Sequence, residues 1–422
     1  MALIKKPTTG MKDVMPREMQ IRDYVTGLVK ETYKTFGFTP IETPAVEHIE
    51  NLSSKQGGEN EKLIFKILKR GEKLVLGADV KEEDLVDSGL RYDLTVPLSR
   101  YYANNASSLP MPFKALQIGP VWRADRPQKG RFRQFVQCDI DILGEAGTLA
   151  EIELITATTT LLGKLDFRDF TVRINDRRIL RAMATYSGFD EKDLDTVFII
   201  LDKMDKIGAD GVKEDLIANG FDSASVDRYM ALFDGNGSGT EYIEKLAKEL
   251  GEHLPGDCAP GLIGIIKSVE RVKNADFNII FDPTLVRGMS YYTGTIFEIT
   301  MNEFGSSVAG GGRYDEMIGR FTGNKVCACG FSIGFERIIT ILLDKDFEVP
   351  GSGRKQAFLI EKGADPEFVA KVMEEAAQLR AKGECVLVSM MNKNKKFQKE
   401  QLEKDGFSSD NIREFYHSDF RN

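Results

Sequence analysis

Residues 113–144 read FKALQIGPVWRADRPQKGRFRQFVQCDIDILG, and their patterning decides the fold. Two extended segments flank the polar loop ADRPQKGR, where Pro127 and Gly130 interrupt any regular strand. The returning segment alternates. With a period of two, Arg133, Phe135, Gln137, Asp139 and Asp141 share one face, while Gln134, Val136, Cys138, Ile140 and Ile142 share the other. The second face suits a core and the first suits solvent or a cleft. A loop-linked pair of this kind is antiparallel. No βαβ repeat with a glycine-rich turn accompanies it, so the expected class is α+β, built on an antiparallel sheet core flanked by helices.

Upstream, REMQIRDYVTGLVKETYKTFG from Arg17 has apolar residues at helical spacing and stops at Gly37. FTPIETPAVEHIE follows as an extended, proline-limited segment, and EKLIFKILKRGEKLVLGAD reads as strand, turn, strand around Gly71. DLTVPLSRYYANN enters a helix with Asp93 or Thr95 at its start. Downstream, GTLAEIELITATTTLLGKL predicts a helix and FTVRIND a strand. Residues 178–262 change texture to helical pieces separated by glycine and aspartate turns, and sheet-like sequence resumes at FNIIFD. That pattern predicts a main domain from residues 1–177 and 263–346 with a helical insertion at 178–262. FEVPGSGRK at 347–355 is the expected linker, and 355–422 a small C-terminal α/β domain.

The chain has 422 residues, 42% hydrophobic and 29% charged, ordinary values for a folded protein with a large core. No apolar run reaches membrane-spanning length, and MALIKKPTTG lacks the apolar region of a secretory signal. The five cysteines include only one close pair, Cys327 and Cys329, with no partner pair for zinc. A reduced, cytoplasmic protein is the expectation. The formal net charge of −8 argues against nonspecific coating of nucleic acid, but not against a structured nucleic acid held by a local basic surface.

The densest candidate for chemistry is the loop pair itself, with Arg123, Arg126, Lys129, Arg131 and Arg133 ahead of Phe135, Gln137, Asp139 and Asp141. A solvated sheet face accounts for such charges. So does a pocket in which guanidinium groups grip phosphate, a ring stacks on a base and carboxylates hold an ammonium. LVRGMSYYTGTIFEI at 285–299 adds Arg287, Tyr291 and Tyr292 at the mouth of a strand. SVAGGGRYDEMIGRF places three glycines at 310–312, which fit a hairpin turn or a close approach of backbone to ligand, but not a Walker loop. Arg337 lies early in the apolar helix of GFSIGFERIITILLD, where a phosphate partner or surface snorkelling would accommodate its charge. The three histidines at 48, 253 and 417 give no support to a Ser/His/Asp arrangement.

Taken in order, FGFTPIETPAVEH, RYDLTVPLSRYYA, VWRADRPQKGRFRQFVQCDIDILG, LVRGMSYYTGTIFE, AGGGRYDEMI and GFSIGFERI resemble the histidyl-tRNA synthetase family of class II aminoacyl-tRNA synthetases. The resemblance covers about residues 10 to 345 well and the remainder weakly. It implies the class II sheet with a helical insertion, a homodimer, and formation of histidyl-adenylate from L-histidine and ATP with Mg²⁺, followed by transfer to tRNA(His). No residue of the chain is assigned to a metal.

Carried over by position, Arg123 contacts the α-phosphate and the histidine carboxylate, and Phe135 stacks on adenine. Arg131 and Arg337 join the ATP site, Arg337 at the γ-phosphate. Asp93, Thr95 and Gln137 bind the α-amino group. Asp141 and Tyr292 read the imidazole, with Tyr291 lining the same pocket, and Arg287 stabilises α-phosphate charge.

Two departures stand out. Met289 and Ser290 occupy positions where the family commonly has Leu-Asp, and the C-terminal domain is short. KNKKFQKE at 393–400 resembles part of a tRNA-facing helix, whereas the final NIREFYHSDFRN does not resemble the usual closing strands. The alternatives are a noncatalytic paralogue serving as regulatory subunit of ATP phosphoribosyltransferase, and a structural or interaction protein. Such paralogues usually lose the extra domain and the ATP-binding arginines, both of which are present here at least in part.

Overall fold

The hairpin at 113–144 lies one short strand in from an edge of the main sheet in the computed structural model, which describes residues 3–53, 61–77, 79–127, 132–233, 237–287, 292–301, 306–350 and 355–420. In chain order the early strands are β1 (Thr39–Pro40), β2 (Val46–His48), β3 (Phe65–Leu68), β4 (Val86–Leu90), β5 (Phe113–Trp122), β6 (Gln134–Leu143) and β7 (Phe170–Asp176). They are followed by β8 (Phe277–Phe281), β9 (Thr295–Met301), β10 (Ser306–Arg313), β11 (Ala328–Ile333), β12 (Lys355–Ile360), β13 (Cys385–Met390) and β14 (Ile412–Phe415). Eight of them make the main sheet in the order β1-β5-β6-β11-β10-β9-β7-β8, antiparallel except at its two outer pairs.

β5 and β6 pair along their whole length, from Phe113 opposite Leu143 to Trp122 opposite Gln134. Cys138, Ile140 and Ile142 are buried on the apolar face as the alternation requires. The helices Leu149–Lys164 and Cys258–Arg271 pack on each other and on the sheet, burying Leu154, Leu161, Ile265 and Ile266. A second sheet, β2-β4-β3, carries the residues between β1 and the helix Thr95–Asn105. Arg91 ties the two sheets together: its Nε donates to the Pro120 carbonyl at 3.0 Å and its Nη1 to the Thr43 carbonyl at 2.6 Å.

Two local expectations are corrected. Among the described residues the segment at 61–79 forms one strand, not two. Gly71–Lys73 is a 3₁₀ turn, and β3 pairs instead with β4, which also pairs with β2. Val75 and Leu76, expected in a second strand, stand exposed. The glycine triplet is not a turn either. Gly310, Gly311 and Gly312 lie inside β10, between β9 and β11, because neighbouring groups leave no room for side chains. A Cβ on Gly311 would run into the Gly330 carbonyl oxygen, and one on Gly312 would lie 2.6 Å from that of Thr295. Gly311→Ala is therefore expected to destabilise the protein by about 1–3 kcal/mol, because strand backbone cannot swing aside as a flexible side chain does. Urea unfolding monitored by circular dichroism measures this.

Between β7 and β8 the chain forms the helices Arg177–Ser187, Leu194–Leu201, Met204–Ala218, Ser223–Ala231, Thr240–Leu250 and Cys258–Arg271. Asp176 caps the first of them by accepting from the Arg178 N–H at 2.8 Å, and Gly188 at φ 101° ends it. The chain divides into a larger compact unit, residues 1–13 and 25–344, and a smaller one, residues 14–24 and 345–422. Within the smaller unit β12 is flanked by β13 and β14, all parallel. Phe358 and Ile360 face the helix Pro366–Ala381 through Phe368 and Val372, while Ala357 and Leu359 pack on Met391, Leu402 and Phe407. The closing segment, unlike the usual closing strands in sequence, supplies β14: Ile412 fills one of these clusters and Phe415 the other. Among the described residues no helix is long and apolar enough to cross a membrane.

Candidate active site

The polar face of β6 turns inward rather than to solvent. Asp139 is 4% exposed and Asp141 3%, although both lie opposite the apolar side of the strand. Gln137 donates from Nε2 to Asp139 Oδ2 at 2.9 Å, and the Tyr314 hydroxyl donates to Asp141 Oδ1 at 2.5 Å. Gly330, opposite Asp141 across the β6–β11 ladder, leaves the space that this carboxylate fills. Three buried oxygens on this face have no hydrogen-bond partner among the described residues: Gln137 Oε1, Asp139 Oδ1 and Asp141 Oδ2. Buried acceptors left unmade are costly, so a row of three marks a place where donors arrive with a ligand.

Burial pushes the Asp141 carboxyl up from its ordinary value to about 7, against the Tyr314 hydrogen bond that lowers it. Asp139 is raised well above its ordinary value, first by burial and then by the charge of Asp141, while Ser332 and Arg123 pull it down. Asp93 is raised by burial. Its Oδ1 accepts from the Val96 N–H at 3.1 Å, so it closes the start of the helix Thr95–Asn105, where Thr95 is also buried. The Arg123 guanidinium opposes both Asp93 and Asp139. It lies over the Phe135 ring at 5.2 Å, and its Nε donates to the Tyr92 carbonyl at 2.8 Å.

Tyr292 lies half-buried where Arg287, Asp139 and Asp141 all act on it, and burial raises its phenol. Arg287 pairs with Glu298 and donates from Nη2 to the Ser307 hydroxyl at 2.9 Å. Arg337 donates to the carbonyl of the same Ser307, so two cations meet at one residue. Arg337 is exposed, so of the two ways of accommodating its charge the structure shows the side chain reaching the surface. The helix Phe335–Asp344 that carries it is pinned to β6 by Glu336, whose Oε1 accepts from the Val136 N–H at 3.1 Å.

The fold thus brings Asp93, Thr95, Arg123, Phe135, Gln137, Asp141 and Tyr292 to one side of the β5–β6 hairpin, with Arg287 and Arg337 joined at Ser307. Arg131, Tyr291, Met289 and Ser290 lie outside the described residues. Sequence reasoning put Asp139 on the right face without a role and passed over Tyr314 and Glu298. Tyr314 follows the glycine strand directly, and its distance along the chain from Asp141 hid the pairing.

The histidyl-tRNA synthetase family model matches residues 10–338. A histidine--tRNA ligase of Leifsonia xyli subsp. xyli is 43% identical over 415 residues, covering 96% of this chain and 94% of its own. A probable histidine--tRNA ligase of Tropheryma whipplei is 40% identical over 418 residues, with 96% and 94% covered. Among solved structures, histidyl-tRNA synthetase from Nostoc sp. PCC 7120 superposes with a TM-score of 0.78 at 27% identity, covering 96% of this chain and 90% of that one. An ATP phosphoribosyltransferase regulatory subunit/histidyl-tRNA synthetase from Bacillus halodurans C has the same fold, with a TM-score of 0.78 at 20% identity over 99% of each chain. With the family model spanning most of the chain and relatives of this identity covering nearly all of it, the chain belongs to the histidyl-tRNA synthetase family.

Proposed function

We infer that the chain activates L-histidine with ATP and transfers the histidyl group to tRNA(His). The observation that carries this reading is the row of unpartnered oxygens, Gln137 Oε1, Asp139 Oδ1 and Asp141 Oδ2, buried beside Arg123. Histidine brings an ammonium, a carboxylate and an imidazole N–H. Asp93, with Gln137, accepts from the ammonium, and Asp141 Oδ2 from the ring N–H while Tyr314 holds its other oxygen. Arg123 draws the histidine carboxylate and the α-phosphate to the same guanidinium.

The carboxylate oxygen then attacks the α-phosphorus as the bond to pyrophosphate breaks. This step needs alignment and charge stabilisation rather than a strong base. Arg287 answers charge on the α-phosphate, Arg337 on the γ-phosphate, and adenine stacks on the Phe135 face not covered by Arg123. Among the described residues no group of three His, Cys, Asp or Glu side chains is suited to hold a metal ion. In this reading Mg²⁺ enters with the nucleotide substrate. In the second step a ribose hydroxyl at the 3′ end of the tRNA attacks the carbonyl and AMP leaves.

Residues 1–177 and 263–346 carry the catalytic role in this reading, 178–262 form the helical insertion, and 355–422 meet the tRNA. The assembly is a homodimer in the cytoplasm. Histidine-dependent ATP–pyrophosphate exchange tests the first step and charging of tRNA(His) the second. Robust exchange is expected, and folded protein that gives none rejects the reading. Exchange without charging places the defect in the C-terminal unit.

A further inference from the structure

Arg287 follows β8 in a stretch outside the strands, so contacts from neighbouring strands must set its direction. β9 and β10 supply them. Glu298 on β9 accepts from Arg287 Nε, and Ser307 on β10 accepts from Nη2 at 2.9 Å. Gly310, paired with Glu298 across the β9–β10 ladder, forms the floor. A Cβ on Gly310 would lie 2.7 Å from Arg287 Cζ and 2.8 Å from Nη1, so the guanidinium rests flat against bare backbone. The ladder shifts register between Ser307 and Ala309, a bulge that re-aims the Ser307 side chain, whose hydroxyl also donates to the Ala309 carbonyl at 3.2 Å.

A competing cation stands near. Arg173 on β7 lies opposite Glu298 in register, but it is committed to Asp282 and to Asp205, the latter at 3.0 Å. Glu298 therefore remains available to Arg287, and its side chain is only 13% exposed.

We propose that Glu298, aided by Ser307 and the Gly310 floor, is a positioning residue that fixes the Arg287 guanidinium, engaging Nε and Nη2 so that Nη1 is presented to the reacting phosphate. This rests on the assignment of Arg287 to adenylation. Glu298 touches the arginine and not the substrate. It fixes in advance a side chain that would otherwise sample several rotamers, and an ångström of misplacement at a reacting centre costs up to about 100-fold in rate.

The test is Glu298→Gln, which keeps the shape and removes the charge, measured by histidine-dependent ATP–pyrophosphate exchange with melting temperature as the folding control. The expected result is a kcat about 10- to 100-fold lower, with KM for ATP and for histidine within about threefold of the parent. The double variant Arg287→Ala, Glu298→Gln should be no slower than Arg287→Ala alone, because both changes remove one interaction. Gly310→Ala provides a second route: it should lower kcat in the parent and have little effect once Arg287 is alanine. Wild-type kcat for Glu298→Gln, or a further tenfold loss in the double variant, overturns the proposal while leaving Arg287 in place. Wild-type exchange by Arg287→Ala overturns the assignment beneath it.

Discussion

Arg123→Ala is expected to reduce histidine-dependent ATP–pyrophosphate exchange by about 10³-fold or more, with little change in melting temperature. The guanidinium serves both substrates at the point where negative charge concentrates, and its removal leaves the carboxylate and the α-phosphate to repel each other. It also removes a cation that lowers both Asp93 and Asp139, so both would protonate more readily and Asp93 would grip the histidine ammonium less well. Stability should be little affected, because the hairpin contact here is made by backbone: the Arg123 N–H donates to the Arg133 carbonyl at 2.8 Å whatever the side chain. Arg123→Lys separates charge from geometry. Lysine keeps the cation but loses the planar fork over Phe135 and the bond to the Tyr92 carbonyl, so a loss of about 10²-fold is expected. If lysine restored full exchange, charge alone would suffice and the stacked arrangement would be incidental.

The parts of this site written in local spacing are legible in the amino-acid sequence. Period-two alternation places Gln137, Asp139 and Asp141 on one face, and the paired strands carry them there. Whether that face meets solvent or a cleft is not legible, because burial comes from β11 and from the helix beginning at Thr95, both distant in sequence. The glycine triplet shows the same limit. Local rules favour a turn, whereas the Gly330 carbonyl and the Arg287 guanidinium, from other segments, require glycine inside a strand. The pairing of Tyr314 with Asp141 spans 173 positions, and no periodicity signals it. At the C-terminal end NIREF alternates too briefly to announce a strand, and only the open edge of β12 makes it one.

Asp141→Asn should separate function from stability. The anionic carboxylate accepts from the imidazole N–H through Oδ2, the oxygen that Tyr314 leaves alone. An amide that keeps the Tyr314 bond must turn its NH₂ toward the ring, placing donor against donor. A buried mismatch of this kind costs about 2–4 kcal/mol, so kcat/KM for histidine should fall by roughly 30- to 1,000-fold while KM for ATP changes little. In the parent protein kcat/KM for histidine should fall as pH drops below about 7, where Asp141 takes up a proton, and the variant should lose the share of that limb that Asp141 contributes. Asp93, Asp139, Tyr292, Tyr314 and Arg123 also face this pocket, and Asp93 and Asp139 titrate in the same direction.

Stability should move the other way. Burial raises the folded-state value to about 7 from an ordinary 3.8, so between these limits the folded chain holds a proton that the unfolded chain has released. The stability this group contributes is present below its unfolded value and is lost as pH rises through about 7. The asparagine variant carries no such charge. Its melting temperature should exceed the parent's at pH 8, by about 2 to 4 °C for roughly 2 kcal/mol in a chain of this size, and match it near pH 4. A variant more stable at pH 8 yet deficient in histidine activation would mean that the carboxylate is kept for recognition at the expense of the fold. Wild-type kcat/KM for histidine would remove Asp141 from imidazole recognition, and an unchanged melting temperature at both pH values would show that its burial imposes no charge penalty.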